Sequence, residues 1–406
     1  MQVLDIDPFR DEFIAAPWRE LSQIRDAGPV VRLPMYDVCA VSRHEGVVRV
    51  LRDSQGFSSA AGVGYVNVKK ARPWRAPSIV LEVDKPLHSH TRRVLSQVLS
   101  DTALQRLEPE LDRRAVELVD ELVDRRDFDA VVDLARRFPT DVFSDAVGLP
   151  PGDRAKVLEY GAMAFAGNGP PNDEFQRAAA DIDGVARWVS EQCRRNALSS
   201  TGFGAQVYRA ADRGLITEEE AALLVRSLLS AGLDTTVSAL AFAVMRFATN
   251  PEQWDLVRQD SGLIQNSVEE VIRIEAPFLM FFRTTSGPQE VSGVEIPAGT
   301  KVLVFIGGAG RDPRKWERPD EFDVRRDTSG HVGFGYGIHR CVGQALARLE
   351  LKSILSALAA RVTRWTMTGD AAYACHNTLR TLSSLPVTVE TSPALVSAAT
   401  VRGGGR

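Results

Sequence analysis

The chain has 406 residues, 44% hydrophobic and 25% charged, an ordinary globular balance. A formal net charge of −4 gives no global attraction to nucleic acid or to an anionic membrane surface. Its four cysteines (Cys39, Cys193, Cys341 and Cys375) are widely spaced, which excludes a disulfide scaffold and suits a reducing cytoplasm.

Met1 to Phe13 alternates acidic and apolar residues and reads as no signal peptide. No uninterrupted apolar run reaches the roughly 18–20 residues that a bilayer span needs, so a soluble, cytoplasmic protein is expected. Neither a linker nor an internal repeat is visible, and a single domain over 1–392 is expected. Pro17 to Ala27 reads as a short helix ended by Gly28-Pro29. Two β-rich runs follow, Val30 to Leu33 and Val38 to Val41, joined by a turn at Pro34–Asp37. Ser54 to Pro77 is a long segment rich in Gly, Ser, Pro and basic residues, of the kind usually kept for function.

From His88 the pattern is mostly helical to about Asn250, broken at Gly167-Asn168-Gly169-Pro170-Pro171-Asn172. Thr217 and Glu220 form a capping box that opens a helix of about 32 residues, roughly 48 Å long. Its middle, Ala231-Gly232-Leu233-Asp234-Thr235-Thr236, is poor helix sequence, and alone would read as a tolerated kink. Glu270 and Arg273 share a helix face before Pro277, a pairing worth little if exposed. A hairpin is expected from Val291 to Phe305 with its turn at Pro297–Gly299. Gly307-Gly308-Ala309-Gly310 lacks the strand–loop–helix context of a phosphate loop and is set aside.

Gly333-Phe334-Gly335-Tyr336-Gly337-Ile338-His339-Arg340-Cys341-Val342-Gly343 is the most informative stretch. Apolar residues at helical spacing follow it, so Cys341 stands near a helix N-terminus, where a thiolate is favoured. Phe334 can shield the sulfur, and His339 and Arg340 bring donors close. Taken alone, Cys341 could also be an ordinary buried thiol, or with His339 part of a zinc site lacking a Cys-x-x-Cys partner. The tail from Pro393 to Arg406 is small and Gly-rich and is expected to be disordered.

The string Phe-Gly-x-Gly-x-His-x-Cys-x-Gly, with Ala347-Arg348 in the following helix, resembles the haem-ligand signature of the cytochrome P450 family. That resemblance implies a mainly α fold with small β-sheets (α+β), a helix-rich triangular prism holding haem between a long central helix and the Cys-ligand loop. It implies haem b with Cys341 as axial metal ligand, in a loop completed by Phe334 and Gly343. Ala231-Gly232-x-Asp234-Thr235-Thr236 resembles the family's oxygen groove. Ala231 would leave room above iron, Thr235 would hydrogen-bond dioxygen and Asp234 would relay protons. His88 and Arg92, Arg283, and His339 match positions that bind the haem propionates. Arg326 matches the third member of a structural set with Glu270 and Arg273. Electrons would come from NAD(P)H through a flavoprotein reductase and a [2Fe–2S] ferredoxin to a monomer, the ferredoxin docking near Arg92, Arg93 and Arg340.

Along nearly the whole chain the sequence is similar to bacterial P450s that oxidise para-substituted benzoates, notably 4-methoxybenzoate O-demethylases. Pro73-Trp74-Arg75-Ala76-Pro77-Ser78, Gly169–Asn172 and Leu223–Ser230 carry that similarity. It implies that Arg75, Ser78, Ser227 and Ser230 take the substrate carboxylate, with Arg226 behind them. Leu81, Phe165, Ala231, Phe278 and Phe281 would supply apolar walls. Asn168 stands where an aromatic is usual, and Phe278 replaces a smaller aliphatic. A longer acid such as a cinnamate, or another hydrophobic small molecule, is therefore the alternative substrate. A peroxygenase is the rival enzyme reading, against which Asp234 and Thr235 argue. A haem-based ligand sensor is the non-enzyme reading, and the chain shows no output domain for it.

Overall fold

The structure, a computed structural model, describes residues 1–71 and 73–391 apart from the side chain of Cys375. The tail expected to be disordered lies outside the described residues. Helices dominate, and four small sheets sit among them within the described residues, as the mainly α expectation holds.

The largest sheet has six strands in the order Gln2–Val3, Val31–Leu33, Val38–Val41, Lys301–Phe305, Met280–Thr285 and Phe57–Ser58. Met280–Thr285 is buried at every position, as a strand covered on both faces must be. The expected hairpin from Val291 to Phe305 is not formed. Gln289–Val291 pairs instead with Val294–Ile296, and Lys301–Phe305 pairs with Met280–Thr285 in the large sheet. Ser292 and Gly293, both at positive φ, make the tight turn, because two such residues match the twist of a two-residue hairpin.

The helix expected from Thr217 to Asn250 is two successive pieces, Glu218–Ala231 and Asp234–Thr249. The capping box at Thr217 and Glu220 is present. Gly232 sits at the break, where a Cβ would collide with the ring of Phe143. Taken as one 32-residue stretch it is long and apolar enough by mean hydropathy to match a bilayer, although polar residues such as Ser230, Asp234 and Thr235 interrupt it. Yet 72% of that window is buried within the protein, as for a core helix. Leu240, Ala241, Phe242 and Val244 are wholly enclosed in the main hydrophobic cluster, which also takes in helices Asp101–Arg125, Leu263–Glu275 and Gln344–Arg361.

Candidate active site

Cys341 lies in a loop tied by hydrogen bonds within itself. Its N–H donates to Phe334 O at 2.8 Å, and Gly335 N donates to Val332 O at 2.7 Å. Gly335 and Gly337 both adopt φ +72°, a backbone that side chains disfavour. Helix Gln344–Arg361 begins just beyond, as the sequence pattern requires. Cys341 is exposed to solvent although protein packs densely around it. Burial pushes its thiol up, while the Gly343 and Gln344 N–H groups and the Arg92 and Arg348 charges pull the other way. The helix N-terminus is thus outweighed, and it takes a coordinating metal to make the thiolate outright. Among the described residues no group of three His, Cys, Asp or Glu is arranged to hold a metal, so the zinc reading finds no ligand set.

Beside the loop, four donor groups converge. The His88 and His339 rings lie 4.3 Å apart, and their four buried nitrogens have no side-chain partner; the backbone of Ile338 approaches His88 and that of Val80 approaches His339. Arg283 is buried, and its one hydrogen bond, 2.9 Å long, goes to the carbonyl of Phe282. Arg92 donates to Arg340 O. Burial holds the Arg283 guanidinium down at about 10, and burial with the charges of Arg283, His88 and Arg92 holds His339 at about 3. Among the described residues no carboxylate is hydrogen-bonded to any of the four. Such a donor set, largely enclosed and without a counter-charge, fits a ligand with two carboxylates, as haem has in its propionates.

On the central helix, Asp234 is buried and its Oδ2 has no partner. It faces Gly161 of helix Ala155–Ala166, where any Cβ would collide with that oxygen. Burial raises its pKa to about 7 against the opposing charges of His376 and Arg136. Thr235 is half-buried and its hydroxyl donates to Ala231 O at 3.4 Å, while Ala231 itself is exposed.

The proposed acid-binding residues are brought together with one exception. Ser78 Oγ and Ser227 Oγ lie 3.3 Å apart, and Arg226 donates to Ala76 O and Pro77 O at 2.9 and 3.2 Å. Arg226 thereby docks the segment bearing Arg75 and Ser78 onto helix Glu218–Ala231. Ser230 turns back to Ser227 O at 3.2 Å. Nothing in the sequence reading anticipated Glu82, whose Oε2 accepts from Arg75 NH1 and Ser78 N, both at 2.7 Å. An acid set among Ile79, Val80, Leu81 and Val83 was the available signal. Leu81 is half-buried. Phe165, Phe278 and Phe281 form one aromatic wall, with centroids 5.6 and 5.3 Å apart and the latter pair stacked. Asn168 acts through its backbone, its carbonyl accepting from Tyr65 N at 2.7 Å.

Glu270, Arg273 and Arg326 meet in the interior. Glu270 accepts from Arg273 Nε at 2.6 Å, Arg326 Nε at 3.1 Å and Asp323 N at 3.1 Å. Arg273 also donates to Pro319 O, so the set ties helix Leu263–Glu275 to the chain leading into the cysteine loop. The adjacent Glu269 was missed. It accepts from His331 and from Arg348 NH2, both at 2.9 Å.

The cytochrome P450 family model matches residues 168–361. Cytochrome P450 CYP199A2 of Rhodopseudomonas palustris is 46% identical over 95% of this chain and 93% of its own length. Erythromycin C-12 hydroxylase of Saccharopolyspora erythraea is 31% identical over 96% of this chain and 98% of its own. The solved structure of cytochrome P450 CYP109Q5 from Chondromyces apiculatus superposes with a TM-score of 0.81 at 30% identity, covering 96% of this chain and 99% of that one. With its cysteine loop, orphaned donor ring and this near end-to-end likeness, the chain belongs to the cytochrome P450 family of haem-thiolate monooxygenases, which use dioxygen and electrons supplied by redox partners.

Proposed function

We propose that this P450 oxidises a para-substituted aromatic carboxylic acid, O-demethylating a 4-methoxybenzoate-like substrate or hydroxylating its para group. The observation that carries the reading is the meeting of Ser78 with Ser227 and of Arg226 with the segment that bears Arg75 and Ser78. A buried carboxylate costs several kcal/mol unless charge-assisted hydrogen bonds receive it; Arg75 and Arg226 bring the charge and Ser78 and Ser227 neutral hydroxyl donors. Phe165, Phe278 and Phe281 would hold the flat ring, fixing the para group by positioning.

Haem would be held by the Cys341 thiolate, in the loop of Phe334 and Gly343, with its propionates on His88, Arg92, Arg283 and His339; when bound it supplies reductive activation of dioxygen. Ala231 leaves space beside Thr235, whose hydroxyl would donate a hydrogen bond to the oxygen being activated. Asp234, held near neutrality, would reload that hydroxyl with protons. In demethylation one oxygen atom enters the methyl group, and the resulting hemiacetal breaks to a phenol and formaldehyde. The other atom leaves as water, with two electrons and two protons. We read the enzyme as a cytoplasmic monomer fed by a [2Fe–2S] ferredoxin and its flavoprotein reductase.

The test is a visible-absorption titration of the ferric protein with 4-methoxybenzoate and with its uncharged methyl ester. A shift to the high-spin spectrum with the acid, and a much weaker one with the ester, is expected. No shift with either compound would overturn the substrate assignment.

A further inference from the structure

The donors assigned to the substrate carboxylate already hold a carboxylate of the protein itself. Glu82 is 7% exposed, and one oxygen, Oε2, takes both the Arg75 guanidinium and the Ser78 N–H. Its own N–H closes the same turn onto Ser78 O at 3.0 Å. Arg75 and Glu82 together line a cavity of about 240 Å³ with Trp74 and Asn168. Arg75 Nε is buried without a partner, and Arg226 stands behind with its charge directed to backbone carbonyls. The region thus has cationic reach toward an incoming acid, but Glu82 claims part of it.

We propose that Glu82 is an internal rival of the substrate carboxylate, which sets acid affinity and excludes small anions from the Arg75–Ser78 clamp. This rests on the reading of the substrate as a carboxylic acid. An acid entering the clamp either displaces Glu82 from Arg75 or takes the free Nε beside it, and in both cases two like charges approach in a poorly solvated place. An acid with a filled aromatic wall behind it gains enough apolar burial to prevail. A small carboxylate such as acetate has no such compensation. Glu82 therefore acts on specificity and is no part of the oxygen chemistry.

The experiment is the same spectral titration of the holoenzyme, wild type against Glu82→Gln, with 4-methoxybenzoate and its methyl ester. Glutamine keeps the volume and an acceptor oxygen for Arg75 and Ser78 but removes the charge. The acid-over-ester preference is expected to rise about tenfold or more, the scale of one removed like-charge contact. An unchanged or smaller preference, with wild type still binding the acid, would show that Glu82 only positions Arg75; the proposal then falls and the substrate reading stands. Acid binding by Glu82→Gln alone supports the rivalry while removing aromatic acids as the natural substrate. No acid binding by either protein overturns both. Should Glu82→Gln lose its haem, Glu82→Asp, which withdraws the carboxylate from Arg75, serves instead: tighter acid binding than wild type is expected, and equal or weaker binding overturns the proposal.

Discussion

Arg348 lays its guanidinium 4.2 Å from the ring centroid of Phe334, joining the helix after Cys341 to the loop before it. The same guanidinium is bonded to Glu269, which also accepts from His331. Burial would raise the Glu269 carboxyl, but the His331 and Arg348 hydrogen bonds outweigh it and hold it at about 2. Its contribution to stability is therefore present above about pH 4.5 and lost as pH falls toward 2. Arg348→Ala removes the stacking and leaves Glu269 short of a partner. It is expected to cost about 2 kcal/mol and to hasten haem loss, read by thermal unfolding and haem content. An unchanged melting temperature would refute this.

Glu270 has no such exposure to soften its loss. Glu270→Gln leaves Arg273 and Arg326 as buried cations without a counter-charge, and a cost of about 3–5 kcal/mol is expected. Chemical denaturation measures it, and the smaller effect of a surface pair, under about 1 kcal/mol, is the contrary outcome.

Thr235→Ala should uncouple the enzyme. NADH consumption continues, but product formed per NADH falls by about tenfold or more, since a positioned proton donor is worth that much. Product assay against NADH oxidation, with peroxide measured alongside, tests it; intact coupling would remove Thr235 from proton delivery.

Asp234 supplies a pH signature. With its pKa raised from 3.8 to about 7 by burial, the folded protein keeps a proton that the unfolded chain releases. Its contribution to stability is full below about pH 4 and disappears as pH rises through 7, a span worth about 4 kcal/mol. Asp234→Asn should flatten stability over that window and slow turnover. A wild-type-like pH dependence of unfolding in the variant would contradict the assignment.

Arg93 is exposed and follows Arg92, which donates to Arg340 O of the cysteine loop. Charge reversal, Arg93→Glu, is expected to slow ferredoxin-driven turnover severalfold, chiefly at low salt, while leaving the substrate titration intact. Equal turnover across a salt series would move the docking face elsewhere.

Local chemistry made part of this protein legible without coordinates. The cysteine loop, the capped helix and the Glu270–Arg273 pair are short-range patterns: their members lie within one turn or one loop, so spacing alone relates them. The family likeness extended that reach to Arg326, 53 residues beyond Arg273, but only by analogy. Tertiary packing decided the rest. Phe143 approaches Gly232 from another helix so closely that a Cβ at the helix break would collide with it, and Val291 turns back early because Ser292 and Gly293 can take positive φ. The unpaired Asp234 Oδ2 against Gly161, the Glu269–Arg348 tie and Glu82 in the Arg75 clamp all join residues distant in sequence or set by a side-chain direction. Burial and partner choice are properties of the assembled core, and the chain acquires them only when its elements meet.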